Sequence, residues 1–272
     1  MVGQLGEADV ERWLAHLGTL GQSPRTVARR RWATRSLLRH IDPAPLGAVT
    51  EDLVLDWLAT MPRPSTRHAA LSDLRVLCRW ALRRGLLDHD PTEHVPRVLV
   101  PRTLPRPLPD GAAAIVLGAC RDVLDRRIVL LGLCAGLRAS EMAALHRRDI
   151  DQQHLIVRAG KGGVDRRVPT HPALWAELVD VRGWVLPSPR WDCDHLSPIT
   201  VSSRMTRLLR SVGIEGSAHR LRHSFASELA RATGGDVLLI GDLLGHQDPS
   251  TTLSYCRPDA DRAAVAVSGL WR

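Results

Sequence analysis

Apolar positions along this chain recur at helical rather than strand spacing almost throughout, in two stretches separated by prolines. In the first stretch, "GEADVERWLAHLG" puts Leu14 and Leu17 on one face. In "SPRTVARRRWATRSLLRHI", Ser23 is an N-cap and Pro24 suits the first helical position, where its missing N–H would be unpaired anyway. Val27, Thr34, Leu37, Leu38 and Ile41 share one side of that helix, and Arg25, Arg29, Arg35 and Arg39 share the other. A third helix, "EDLVLDWLATM", follows Thr50 as cap, and a fourth, "TRHAALSDLRVLCRWALRRG", follows Ser65. The fourth has a seam of Leu71, Leu74, Cys78 and Ala81, with His68, Ser72, Arg75, Arg79 and Arg83 on a separate stripe and Gly85 as its stop.

"PRVLVPRTLPRPLPD", Pro96 to Asp110, then interrupts the pattern with five prolines and three arginines, Arg102 and Arg106 among them. Proline this dense cannot continue a helix and reads as a stiff linker between domains. Beyond it, "DGAAAIVLGACRD" and "LDRRIVLLGLCAGLRASEMAALHRRDI" are helical, the second broken near Ala135–Gly136. The period changes once. His154–Arg158 is a β-branched run, "AGKGG" is a turn and "DRRVPT" returns, which predicts a β-hairpin with Lys161 in or beside its turn. Helices resume over "HPALWAELVDVRGW", over "ITVSSRMTRLLRSVG" with Arg204, Arg207 and Arg210, then over "HRLRHSFASELARATG" and "DVLLIGDLLGH", and over "PDADRAAVAVSGLW" at the end. The expected domains are 1–95, a linker 96–110, 111–258, and a tail 259–272.

Composition adds a partner. There are 37 Lys+Arg against 29 Asp+Glu in 272 residues, a net charge of +8, and every basic residue but Lys161 is an arginine. The arginine fork suits bidentate phosphate contact, so a polyanion is expected, although a GC-rich genome would also replace lysine by arginine everywhere. The two N-terminal ladders contain few acids of their own, which favours phosphate contact over a solvated face. The five cysteines are scattered with no C-x-x-C pair, against a disulfide framework or a zinc site. No basic region followed by an apolar run opens the chain, and the longest apolar run, Ile128–Leu137, is too short to span a bilayer. A cytoplasmic protein without a membrane partner is expected.

Chemistry concentrates in the second half. Arg138 stands beside the helix break, His219 and Arg222 are three apart at a helix start, His246 ends an apolar helix, and Tyr255 is the only tyrosine in the chain. Taken singly, each residue has a bland reading as surface, core or cap. Together, "GLRASE", "GKGGVDRRVP", "HRLRH", "LLGH" and "STTLSY" resemble in order the motifs of the tyrosine recombinases, the phage-integrase and Xer-type family.

That resemblance implies a mainly α protein: a four-helix core-binding (SAM-like) domain, then a mixed α+β catalytic domain with a small antiparallel hairpin, the two clamping double-stranded DNA at an inverted core-type site. With residues 1–95 as the first domain, the further N-terminal domain that some relatives carry is not expected. It implies Arg138, Lys161, His219, Arg222, His246 and Tyr255 as catalytic residues, and a homotetramer on two DNA sites. The tail would dock on a neighbour, and a directionality factor is a further candidate partner.

The residues agree chemically. Cutting a phosphodiester without metal or nucleotide cofactor needs a nucleophile, here the Tyr255 hydroxyl, with its ordinary pKa of about 10. The Arg138 and Arg222 forks would hold the non-bridging oxygens, with His246 donating beside them. His219 would be the general base and Lys161 would protonate the leaving 5′ oxygen, giving a 3′-phosphotyrosyl link. His223 and Glu141 read as structural. An integrase of a phage or mobile element is the favoured role, with an Xer-type dimer resolvase as the alternative. A type IB topoisomerase-like enzyme and a catalytically idle DNA-binding regulator compete from outside that role.

Overall fold

In a computed structural model the described residues are 6–42, 44, 46–101 (backbone only at 46), 105–158, 165–246, 248–255 and 267–268. Lys161, Arg102, Cys256 and the tail, apart from residues 267–268, lie outside them. The chain divides into two compact units, Met1–Arg102 and Thr103–Arg272. Among the described residues, no helix is long and apolar enough to cross a membrane.

The first unit packs α1 (Glu7–Thr19), α2 (Pro24–Ile41), α3 (Glu51–Ala59) and α4 (Pro64–Leu82) around Trp13, Leu37, Trp57 and Leu77, all essentially buried. The caps follow the sequence: Ser23 Oγ accepts from Thr26 N at 3.2 Å and Thr50 Oγ1 from Leu53 N at 3.3 Å. At α4 the expectation was wrong. Ser65 lies inside the helix, because Pro64 already occupies the first turn and Arg63 is the N-cap. Proline is pre-shaped for that position, so no side-chain cap is required. The seam of Leu71, Leu74, Cys78 and Ala81 is buried as read. Gly85 closes the helix at φ 65°, letting Leu86 N–H reach back to Ala81 O.

The second unit holds α5 (Ala112–Gly118), α6 (Val123–Ala135), α7 (Ala139–Ala143), β1 (His154–Val157), β2 (Arg166–Pro169), α8 (Pro172–Leu178), α9 (Pro198–Ser211), α10 (Ala218–Ala232), α11 (Val237–Leu244) and α12 (Pro249–Leu253). Helix α6 is its central element, with Ile128, Val129, Leu130 and Leu131 all buried, the pattern of a helix enclosed on every side. Helix α10 crosses it closely: a Cβ at Gly132 would come within 2.6 Å of Leu221 Cβ. The break after α6 is Gly136 at φ 61°, where an added Cβ would also run into Phe225, the only phenylalanine.

Strands β1 and β2 pair antiparallel, with Leu155 opposite Val168 and Val157 opposite Arg166. Alternation buries Leu155, Val157, Val168 and also Arg166 on one face. Helix α8 stops at Leu178, short of the expected run, and Trp184 instead forms a β-bridge with His146.

Both ends of the proline-rich segment are tied down, each within its own unit. In the first, His68 Nδ1 lies 3.4 Å from Val98 O and Arg75 Nη2 donates to Val95 O at 2.6 Å. In the second, Leu108 N–H donates to Ser224 Oγ at 2.8 Å and Arg220 Nε to Pro107 O at 3.3 Å, both on α10. Pro107 and Leu108 are thus held to the helix that carries "HRLRH".

Candidate active site

The site is built around the C-terminal end of α11. The last carbonyls of a helix lack partners within it, and here a different arginine takes each of three. Arg166 Nε donates to Leu243 O at 2.9 Å, Arg222 Nη2 to Leu244 O at 2.6 Å and Arg138 Nη2 to Gly245 O at 3.2 Å. The negative end of the helix dipole favours cations there. Gly245, at φ 63°, turns the chain away immediately beyond, and the Arg166 side chain occupies the space its Cβ would need. His246 follows at once.

Glu141 joins the arginines. Its carboxylate receives both Arg166 Nη atoms at 2.9 and 2.7 Å, Arg138 Nη1 at 2.7 Å and the Arg138 backbone N–H at 2.9 Å. Arg222 stands 3.8 Å away. Burial would raise the Glu141 pKa, but the Arg166 and Arg138 bonds outweigh it and hold the carboxyl down at about 2. Glu141 is thus a buried partner, as the sequence suggested. Arg166 was missed. Its signal was available: in "DRRVP", strand alternation points Arg166 the same way as Val168, into the core.

Arg222 is 1% exposed, and its other Nη donates to Gly136 O at 2.6 Å. Burial and the Arg138 charge pull its guanidinium down to about 9, still a cation at neutral pH. Arg138 and Arg222 each use part of a five-donor fork on the protein, so both are locked in place with donors remaining.

The histidines and the tyrosine lie against this cluster. Tyr255 packs on the small core of Ala226, Ala230, Ile240 and Leu244 between α10 and α11. His246 Nδ1 is 2.8 Å from Thr252 Oγ1, on the helix that delivers Tyr255. Burial, then the charges of Arg222 and Arg138, lowers His246 to about 4, so it is neutral at rest. Burial raises the Tyr255 phenol above its ordinary 10, against the pull of Arg222 and Arg138.

The hydroxyl of Tyr255 lies 2.6 Å from Nδ1 of His223, not on His219. The sequence does not show this contact. His219 and His223 are one helical turn apart, their rings T-shaped at 4.3 Å, but His223 is the one that α10 turns toward the phenol. Burial, then His219 and Arg222, lowers His223 to about 4, while burial of its inner face and the two arginine charges also lower the more exposed His219.

The predicted DNA-contact residues divide. Arg25, Arg39, Ser72, Arg79, Arg83, Arg106, Arg207 and Arg210 are exposed. Others are committed within the fold. Arg204 binds Asp125 and Asp122, with Nε 2.9 Å from Asp125 Oδ1, and its side chain is 17% exposed. Arg75 serves the Thr92 and Val95 carbonyls. Arg29 pairs with buried Asp73 at 2.8 Å and Arg35 with Glu11 at 3.2 Å. The ladders do have acids, contributed by neighbouring helices, which a helix-by-helix reading cannot see.

The sequence profile of the phage integrase family matches residues 112–262, more than half of the chain, and the chain belongs to that family. Its relatives place it among the tyrosine recombinases, enzymes of site-specific DNA recombination. It is 33% identical to tyrosine recombinase XerC of Rhodospirillum centenum, over 92% of this chain and 82% of that protein. It is 32% identical to tyrosine recombinase XerA of Thermococcus kodakarensis, over 91% of this chain and 90% of that one. Its fold is similar to that of the Tn1549 transposon integrase, solved in complex with transposon right end DNA, with a TM-score of 0.75 at 17% identity, covering 97% of this chain and 98% of the other.

Proposed function

We propose that this recombinase cuts and rejoins double-stranded DNA through Tyr255, with Arg138 and Arg222 as the phosphate clamp. The observation that carries the reading is the convergence of both guanidiniums on the end of α11, beside His246 and the phenol. A phosphodiester carries one negative charge and gains a second as the pentacoordinate transition state forms. Guanidiniums fixed in advance stabilise that state without reorganising, and each such donor contributes about 10²–10³ in rate. His246 has one ring nitrogen engaged with Thr252 and offers the other to the phosphate. His219 closes the same flank. Lys161 protonates the departing 5′ oxygen, leaving a 3′-phosphotyrosyl bond that a second 5′-hydroxyl can reverse.

The exposed arginines on α2 and α4, with Arg106, Arg207 and Arg210, supply sequence-independent contact to the DNA backbone. Exchanging strands between two duplexes requires four such sites, hence a homotetramer on two inverted core-type sites, working in the cytoplasm where the DNA is. In that assembly the tail 259–272 docks on a neighbouring protomer, and a directionality factor acts beside it.

The favoured role is integration of a phage or mobile element. Dimer resolution is the second reading, supported by the Xer names of relatives that match about nine-tenths of the chain. Plasmids carrying two copies of the sequence that the chain selects from random duplexes test both. Recombinant products, in integrative or resolving orientation, support a recombinase and choose between the roles. Vigorous relaxation of plasmid lacking the site, without recombinants, would favour a topoisomerase instead.

A further inference from the structure

The phenol that must lose a proton is half-buried and protonated at rest, so the atom it touches decides how it is activated. That atom is His223 Nδ1, at 2.6 Å. We propose that His223 is the proton acceptor for Tyr255. Its Nδ1 takes the phenolic hydrogen as Oη attacks phosphorus, while the P–O5′ bond breaks and the 5′ oxygen takes a proton from Lys161. In rejoining, the protonated His223 returns the hydrogen to the departing Tyr255. This rests on the recombinase reading and refines it at one residue.

Several features support the assignment. His223 follows Arg222, which two backbone carbonyls pin, so the turn of α10 presenting the imidazole cannot drift. The rings of Tyr255 and His223 lie 5.6 Å apart and tilted, with the hydroxyl rather than the ring face directed at Nδ1. His246 is stacked on Tyr255 at 6.4 Å, but its own Nδ1 is on Thr252. The groups facing His223 are His219 and Arg222 on α10 and Tyr255 after α12. Without DNA, burial first and then His219 and Arg222 keep His223 neutral, a state that can accept a proton. A phosphate on Arg222 cancels part of that charge and raises the proton affinity of the imidazole as the transition state forms. Base strength therefore arrives with the substrate.

The lone tyrosine makes this testable at one atom, because growth on 3,5-difluorotyrosine replaces Tyr255 and nothing else. The probe is a nicked suicide duplex built on the sequence that the chain selects from random DNA, and the readout is the rate of covalent adduct formation. His223→Asn keeps a hydrogen-bond acceptor near the Nδ1 position but cannot take a proton. It is expected to slow cleavage by about 10²–10⁴, as is His223→Ala. The more acidic fluorophenol should recover about tenfold or more of the loss in His223→Asn, while changing the wild type little. If either variant cleaves at the wild-type rate or faster, His223 is only a resting clasp and the proposal fails. It also fails if fluorination leaves the loss unchanged, which a purely structural histidine predicts. Absence of any adduct from the wild-type chain would instead sink the recombinase reading itself.

Discussion

Two arginine–glutamate clusters in this molecule look alike in sequence and differ in consequence. In the first unit, Arg31 and Arg35 meet Glu11 at 3.0 and 3.2 Å, with side chains 41–51% exposed. In the second, Arg166 meets Glu141 at 2.7 Å with side chains 7% and 6% exposed, and the same carboxylate holds Arg138. Water screens the first cluster, and either partner can leave at little cost. Removing one partner of the second strands a buried charge and frees Arg138, which we propose receives the phosphate. Burial, rather than the count of charges, separates a solvated face from a preorganised anion site.

The comparison can be broken most forcefully at Arg166. Arg166→Ala should destabilise the second unit by about 3–5 kcal/mol, as for a buried pair deprived of one member. A urea titration measures this, and a change below about 1 kcal/mol would mean that the network is dispensable. Next comes the clamp. Arg222→Lys keeps a cation but loses the fork, and should slow adduct formation by about 10²–10³ with DNA affinity retained. Arg25→Ala on exposed α2 should do the reverse, leaving the cleavage rate of bound DNA intact and reducing the salt dependence of binding by about one unit of slope.

The pH dependence of stability sharpens the contrast further. His223 and His246 sit near 4 in the folded chain against an ordinary 6.5, so the unfolded chain takes up protons that the folded one refuses. Stability should fall as pH drops from about 6.5 toward 4, then again from 4.5 toward 2 as Glu141 protonates. Unfolding midpoints across this range should show a flatter upper slope in a His223→Asn/His246→Asn double variant, with His219 supplying the remainder. The smallest effect is Arg35→Ala, below about 1 kcal/mol for an exposed pair.

Much of this was legible beforehand. Ser23 and Thr50 caps, the Gly136 break, the β1–β2 hairpin and the α10 and α11 helices are local devices, written in neighbouring residues. What escaped the sequence reading depends on contacts between distant segments. Asp73 and Glu11 neutralise arginines on another helix, and Asp122 and Asp125 consume Arg204, 82 and 79 positions away along the chain. The contact of His223 with the phenol was not legible, because "HRLRH" does not say which histidine faces a tyrosine 32 residues later. Only the packing of α12 against α11 settles that. Arg166 was hidden for another reason, since an arginine pointing into a core looks like an error until Glu141 and the end of α11 are seen beside it.

The chemistry concentrates on one oxygen, and that oxygen can be located. The chain is incubated with the suicide duplex, digested with protease and nuclease, and the nucleotide-bearing peptide is sequenced by mass spectrometry. The account predicts a 3′-phosphate ester on the Tyr255 phenol, and no adduct from Tyr255→Phe even though that variant binds the duplex with unchanged affinity. DNA attached to any other residue, or a covalent complex formed by Tyr255→Phe, would contradict it.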